Sequence, residues 1–304
     1  MSTMLPAHTP YDGSSRLFTI GLKPLDLAHW LEVDRHYAVY LEEKRRLLGE
    51  RQADVFVEEP GTHESQREVL ALIGDHLMRR ADLFSSKASR QLFESVMVEA
   101  SGGSNPPLLA AALLVQEDLV LMRRGNDGWR LAAASLSFPS SWTLTEKFGR
   151  PLQDIHAPVP GFGRGTRTAD LIQRIFDNMK ADQPVERMNW SLQADTDLYK
   201  PFSNLQRDER AVARLPRFPD ADPATVFLRV ERQTLRKLPV SGDILFTIRI
   251  FVDPLEVLRS HPDRAAIAAS FAGQLGALDE AQLDYKGLTA DRDRLVAVLR
   301  AMAA

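Results

Sequence analysis

At 304 residues, with 44% hydrophobic and 26% charged side chains, the sequence has the composition of an ordinary globular protein and enough chain for a sizeable core. Its 38 Lys and Arg against 41 Asp and Glu leave a net charge of −3, which gives no global attraction to nucleic acid or to an anionic membrane. The absence of cysteine excludes a disulfide framework, a cysteine nucleophile, a zinc ribbon and any iron–sulfur cluster held by this chain.

Met1 to Gly13 carries neither a charged n-region nor an apolar core, so no signal peptide is expected and the cytoplasm is the expected compartment. The most apolar run, Leu108 to Val115, has roughly half the length needed to cross a bilayer. From Leu25 through Trp30 and Leu31 to Tyr37, Tyr40, Leu41 and Leu47, apolar residues recur at helical spacing, with Glu42, Glu43, Lys44 and Arg45 placed on the opposite side. Glu64 to Arg80 and Ala88 to Val98 read the same way, which predicts a helical part over residues 1–100.

The turn-rich cluster Ser101 to Pro107 opens a different texture. Leu108–Gln116, Leu119–Arg123 and Trp129–Phe138 are predicted strands, the last two joined through the hairpin signal Gly125-Asn126-Asp127-Gly128. A helix is predicted from Thr168 to Lys180, a strand over Arg187–Gln193, and two alternating strands over Thr225–Leu235 and Ile244–Val252. Tyr199 to Pro223 reads as a long irregular loop, a lid or an insertion. Helices over Pro254–Gln274 and Thr289–Met302 close the chain. The order predicts one α+β domain over 1–304, with a sheet core over 101–253 and C-terminal helices over 254–304.

The elbow of a serine hydrolase, a phosphate-binding loop and a zinc-protease helix are all missing. His156 precedes Pro158 and Pro160, whose fixed φ stiffens the segment enough to hold an imidazole in one orientation; packing against a loop is the plainer alternative. Gly161 to Thr168, with Arg164 and Arg167 before a helix N-terminus, is a candidate anion cradle, although helix capping by Thr166 or Thr168 would account for it equally. On Arg229-Val230-Glu231-Arg232-Gln233, alternation sends Val230 to the core and puts Arg229, Glu231 and Gln233 on the other face, with Arg249 as a cross-strand partner; a solvated face of surface ion pairs reads as well.

Taken in order, Trp129-Arg130-Leu131, Ser137-Phe138-Pro139-Ser140-Ser141-Trp142, Lys147-Phe148-Gly149, Ile155-His156-Ala157-Pro158-Val159-Pro160, Arg187-Met188-Asn189-Trp190 and Arg229 to Leu235 form a distinctive set. With Leu238-Pro239 and Ile244 to Arg249 they resemble the haem-dependent oxidative N-demethylase alpha-subunit family, from about Phe18 to about Leu258. The resemblance implies a PAS-like antiparallel sheet, flanked by N-terminal and C-terminal helices, that binds haem b. It also implies a monooxygenase-type oxidation of a small secondary amine such as dimethylamine, releasing formaldehyde. Electrons would come from NADPH through FMN and an iron–sulfur cluster on partner subunits. Under that resemblance His156 is the first choice as ligand of the haem iron, ahead of His76, His36 and Tyr199. Arg164, Arg167, Arg229 and Arg232 are candidates for the propionates, and Glu231 for the protonated amine, ahead of Asp195 and Tyr199. A haem or ligand sensor without catalysis, and an interaction subunit, are the alternative readings.

Overall fold

The computed structural model describes residues 5–80, 94 and 105–304. Seven antiparallel strands form one sheet in the order β1-β5-β6-β7-β3-β4-β2. These are β1 (Lys23–Pro24), β2 (Phe56–Glu58), β3 (Asp118–Gly125), β4 (Gly128–Ser135), β5 (Val185–Gln193), β6 (Phe227–Lys237) and β7 (Ile244–Pro254). The described helices are α1 (Tyr37–Val55), α2 (His63–Arg79), α3 (Pro107–Ala112), α4 (Leu144–Lys147), α5 (Leu152–Ile155), α6 (Arg167–Asn178), α7 (Asn204–Ala213), α8 (Arg264–Gly276), α9 (Glu280–Lys286) and α10 (Arg292–Ala303). The α+β class expected from the sequence is the observed one. Among the described residues no helix is long and apolar enough to cross a membrane. The expected helix over Ala88–Val98 lies almost wholly outside the described residues.

Strand alternation divides the structure into layers. Trp190, Val230 and Phe251 point to one face, where α8 and α10 cover them, while Leu119, Leu121 and Leu245 on that face meet α2 and α3. The opposite face presents Val120, Met122, Leu235, Ile248 and Ile250 toward α1, α4, α5 and α6. That second face does not close completely, and the gap left there is the candidate site.

Several expected elements differ, each for a physical reason. Leu108–Gln116 is not a strand: it starts with the helix α3, because Pro107 occupies its first turn and Ala110 to Ala112 favour helix, and an unbroken apolar run carries no periodicity to decide the matter. The first helical stretch does not run from Leu25. It makes one 3-10 turn at Leu27–His29, and α1 starts only at Tyr37, after the Asp34 carboxylate has accepted from the His36 N–H. Lys44, expected outside, is buried: its ammonium donates to the carbonyl oxygens of Ala112, Val115 and Glu117, three acceptors that repay the loss of water. The loop expected from Tyr199 to Pro223 contains α7, begun by a reciprocal capping box between Ser203 and Gln206. The C-terminal helix expected over Pro254–Gln274 is a 3-10 segment, Leu255–Ser260, followed after Pro262 by α8.

Candidate functional site

A cavity of about 550 Å³ lies against the open face of the sheet, within the roughly 300–1,000 Å³ typical of cofactor and ligand sites. Its floor is formed by alternate residues of neighbouring strands: Arg187, Asn189 and Ser191 of β5, Glu231, Gln233 and Leu235 of β6, Phe246 and Ile248 of β7. The opposite wall is apolar, with Leu152, Ile155, Phe162, Ile172 and Phe176 from α5, α6 and the loop between them. Lys147 over the Trp142 ring also lines the cavity, as do Arg210 over the Phe202 ring from the α7 region and Tyr285 and Lys286 of α9.

His156 lines this cavity. It is the C-cap of α5, where its backbone N–H donates to the Leu152 carbonyl at 2.9 Å, and the chain leaves it through turns rather than extended backbone. Its ring meets the edge of Phe162 at 6.3 Å between centroids and makes no hydrogen bond with another described residue. Burial, reinforced by the Lys147 and Arg187 cations, pushes its pKa down to about 3, so the imidazole is neutral with a lone pair free at neutral pH. An unfolded histidine titrates near 6.5, so the folded state binds this proton less tightly and the sign is fixed. His156 leaves stability intact above about pH 6.5 and withdraws it as pH falls toward about 3. Denaturant melts of the apo-protein against His156→Gln across that range should show the wild type losing more stability on acidification.

The cavity is unusually cationic. Burial lowers Lys147 to about 8, with Arg207 adding to the effect and Glu231 opposing it. Lys147 donates to the Ile155 carbonyl at 3.2 Å and lies 4.5 Å from the Trp142 ring centroid. Burial also holds Lys286 down to about 8; its ammonium donates to the Trp190 carbonyl at 2.6 Å. Arg210 donates to the Tyr285 carbonyl at 3.0 Å, and Arg217 to the carbonyls of Lys286 and Leu192 at 3.2 Å each. Arg187 is the barest of them. Its guanidinium makes no hydrogen bond to a described residue, its Nε is buried without a partner, and burial lowers its pKa. Facing these cations is the carboxylate of Glu231, which accepts from Gln233 Nε2 at 2.9 Å and Asn189 Nδ2 at 3.5 Å. Lys200 also reaches the cavity but is paired with Asp195.

Of the residues singled out in the sequence, His156 and Glu231 come together here and the four arginines do not. Arg164 pairs with Asp154 at 3.0 Å on the surface, and Arg167 is exposed; the α6 N-terminus is capped by Thr166, whose hydroxyl accepts from the Ala169 N–H. Arg229 is 1% exposed and donates to the carbonyls of Phe138 and Leu198 and to Gln193 Oε1. Arg232 points to the other face of the sheet, between Glu186 and Glu32, and Arg249 stands opposite it in the register rather than beside Glu231. His76 meets the edge of Trp30, and His36 caps α1, both away from the cavity. Lys147, Arg187, Arg210, Arg217 and Lys286 were given no site role from the sequence, although Lys147 and Arg187 stand in segments that carry the family resemblance. Arg187 alone carried a local signal: it alternates with Asn189 on β5 and so faces the same way as Glu231 does on β6.

A lone neutral imidazole, an apolar wall and a set of unanswered cations suit a flat apolar cofactor that carries its own metal and two carboxylates. A family profile described as "Haem-dependent oxidative N-demethylase, alpha subunit-like" matches residues 21–296. The chain therefore belongs to the haem-dependent oxidative N-demethylase alpha subunit-like family.

Proposed function

We propose that this cavity binds haem b, and that the protein uses it to oxidise an N-methyl group of a small secondary amine. The observation that carries the reading is the neutral imidazole of His156, without a hydrogen bond to a described residue, in a cavity lined by Lys147, Arg187, Arg210, Arg217 and Lys286, none of which forms a salt bridge with a described residue. His156 supplies the iron ligand. Lys147, Arg210, Arg217 and Lys286 are the cations available to the propionates, in place of Arg164, Arg167, Arg229 and Arg232, to which the family resemblance gave that role. The haem, when bound, supplies the oxygen-activating chemistry.

This chain's residues do the rest. Leu152, Phe162, Ile172 and Phe176 form an apolar wall that would keep water from a bound haem. Glu231, held by Gln233 and Asn189, receives the charge of the protonated amine, and Tyr285 offers a hydroxyl whose pKa burial raises further above the neutral range. Electrons come from separate reductase subunits bearing NADPH, FMN and an iron–sulfur cluster, since a chain without cysteine holds no such cluster itself. The overall reaction takes a secondary methylamine, dioxygen, two electrons and two protons to the demethylated amine, formaldehyde and water.

The test is reconstitution. Full-length protein mixed with haem b should retain about one equivalent through gel filtration and show a Soret band, and with a chemical reductant it should release formaldehyde from a secondary amine. A colourless protein would end the proposal. Retained haem without formaldehyde from any secondary amine would reduce the protein to a haem-binding sensor.

A further inference from the structure

The charges around the cavity do not balance for a simple amine. Lys147, Arg187, Arg210, Arg217 and Lys286 all reach it, and none forms a salt bridge with a described residue. Glu231 is the one carboxylate among the described lining residues. Two propionates and Glu231 would answer three of these five positive charges and leave two. A dimethylammonium ion would raise that excess to three, in a medium where an unanswered charge is expensive, whereas a substrate that carries a carboxylate beside its ammonium adds nothing to it.

We infer that the substrate is a secondary amine that also bears a carboxylate, an N-methylated amino acid, with Arg187 receiving its carboxylate and Glu231 its ammonium. This rests on the haem N-demethylase reading above and narrows its substrate class. The register of the sheet places the two groups suitably. Arg187 is opposite Gln233 and Asn189 opposite Glu231, so Arg187 and Glu231 are diagonal neighbours on the same face. Such neighbours have backbones roughly 7–8 Å apart, close enough for both side chains to address one small zwitterion. Arg187 is also the cation with most to gain. Its planar fork can hold a carboxylate through two parallel hydrogen bonds, and at present its donors have no described acceptor.

The step balances as for any secondary methylamine. The methyl carbon takes one oxygen atom of dioxygen and its C–N bond breaks, with the nitrogen keeping the electron pair and a proton. The second oxygen leaves as water, made with two protons and two electrons from the reductase or a two-electron chemical reductant. The products are the primary amino acid and formaldehyde.

Haem-loaded protein should be titrated with N-methylglycine and, separately, with dimethylamine, following the Soret band and the heat of binding. N-methylglycine is expected to bind at least tenfold more tightly. Arg187→Gln should remove that advantage, weakening N-methylglycine at least tenfold and leaving dimethylamine within about twofold, with Arg187→Lys recovering part of the loss. The apo form of Arg187→Gln should melt at or above the wild-type temperature, since a buried and unpartnered cation is lost. Equal or tighter binding of dimethylamine would overturn the inference, as would an Arg187→Gln protein that keeps the full preference. Loss of haem from Arg187→Gln would do the same, by giving Arg187 to a propionate. Failure of the haem reading looks different: the wild type would then show no Soret band while calorimetry could still record N-methylglycine binding.

Discussion

His156→Ala should abolish retention of haem and the Soret band that goes with it, while leaving the far-ultraviolet circular dichroism of the apo-protein unchanged. Both halves follow from the same geometry. The ring makes no hydrogen bond to a described residue and only an edge contact to Phe162, so the fold loses little when it is removed. A bound iron would lose its histidine, because no other histidine is among the described residues that line the cavity. Porphyrin burial and propionate pairing would remain, so weak binding at high haem concentration is expected, without the spectrum of a histidine complex. Free imidazole added to the variant should restore part of that spectrum, by entering the space the side chain vacates. An unaltered Soret band in His156→Ala would assign the ligand elsewhere; Tyr285, the lining phenol, would be the next residue to change.

How much of this was legible beforehand depended on whether a residue's role is set locally or by topology. Strands β6 and β7 alternate and are bounded by a clear turn, so their existence could be read directly, to within two residues at each end. His156 could be singled out because prolines follow it closely in the chain. Glu231 and Gln233 could be placed on one face by period-two reasoning alone, and the structure puts both on the cavity floor. The cations could not be found that way. Lys286 sits on a short helix 55 residues after Glu231, and only the closure of α9 over the edge of β5 brings it to the site. A helical stripe also hides Lys44, whose acceptors come from a segment some 70 residues away. The surroundings of Arg229 and Arg232 are hidden for the same reason: the strand reads as a solvated face of surface ion pairs or, under the family resemblance, as a source of propionate partners, whereas distant segments supply the acceptors of both side chains inside the protein.

Arg232→Gln should therefore be among the most destabilising single changes in the protein, in the apo form as much as the holo form. Arg232 is 3% exposed and lies between two carboxylates, at 2.6 Å from Glu186 and 3.1 Å from Glu32. It also donates to the carbonyls of Trp30 at 3.0 Å and His29 at 2.7 Å, which ties the first turn of the chain to the far face of the sheet. Removing the guanidinium leaves two like charges facing each other and two carbonyls short of a donor. Breaking a buried pair costs about 3–5 kcal/mol, and the lower end applies because both glutamates keep some access to water. Glu32 responds to the same field: although burial raises it, His8, Arg232 and Arg249 together hold its pKa below the usual carboxylate value. Its stabilising contribution is accordingly present at neutral pH and lost as pH falls through that lowered value, so the difference between wild type and Arg232→Gln should shrink in acid. Urea melts of the two apo-proteins at pH 7 and pH 4 measure both effects. A variant that melts with the wild type while losing haem would return Arg232 to the cofactor, against the placement of its side chain on the opposite face of the sheet.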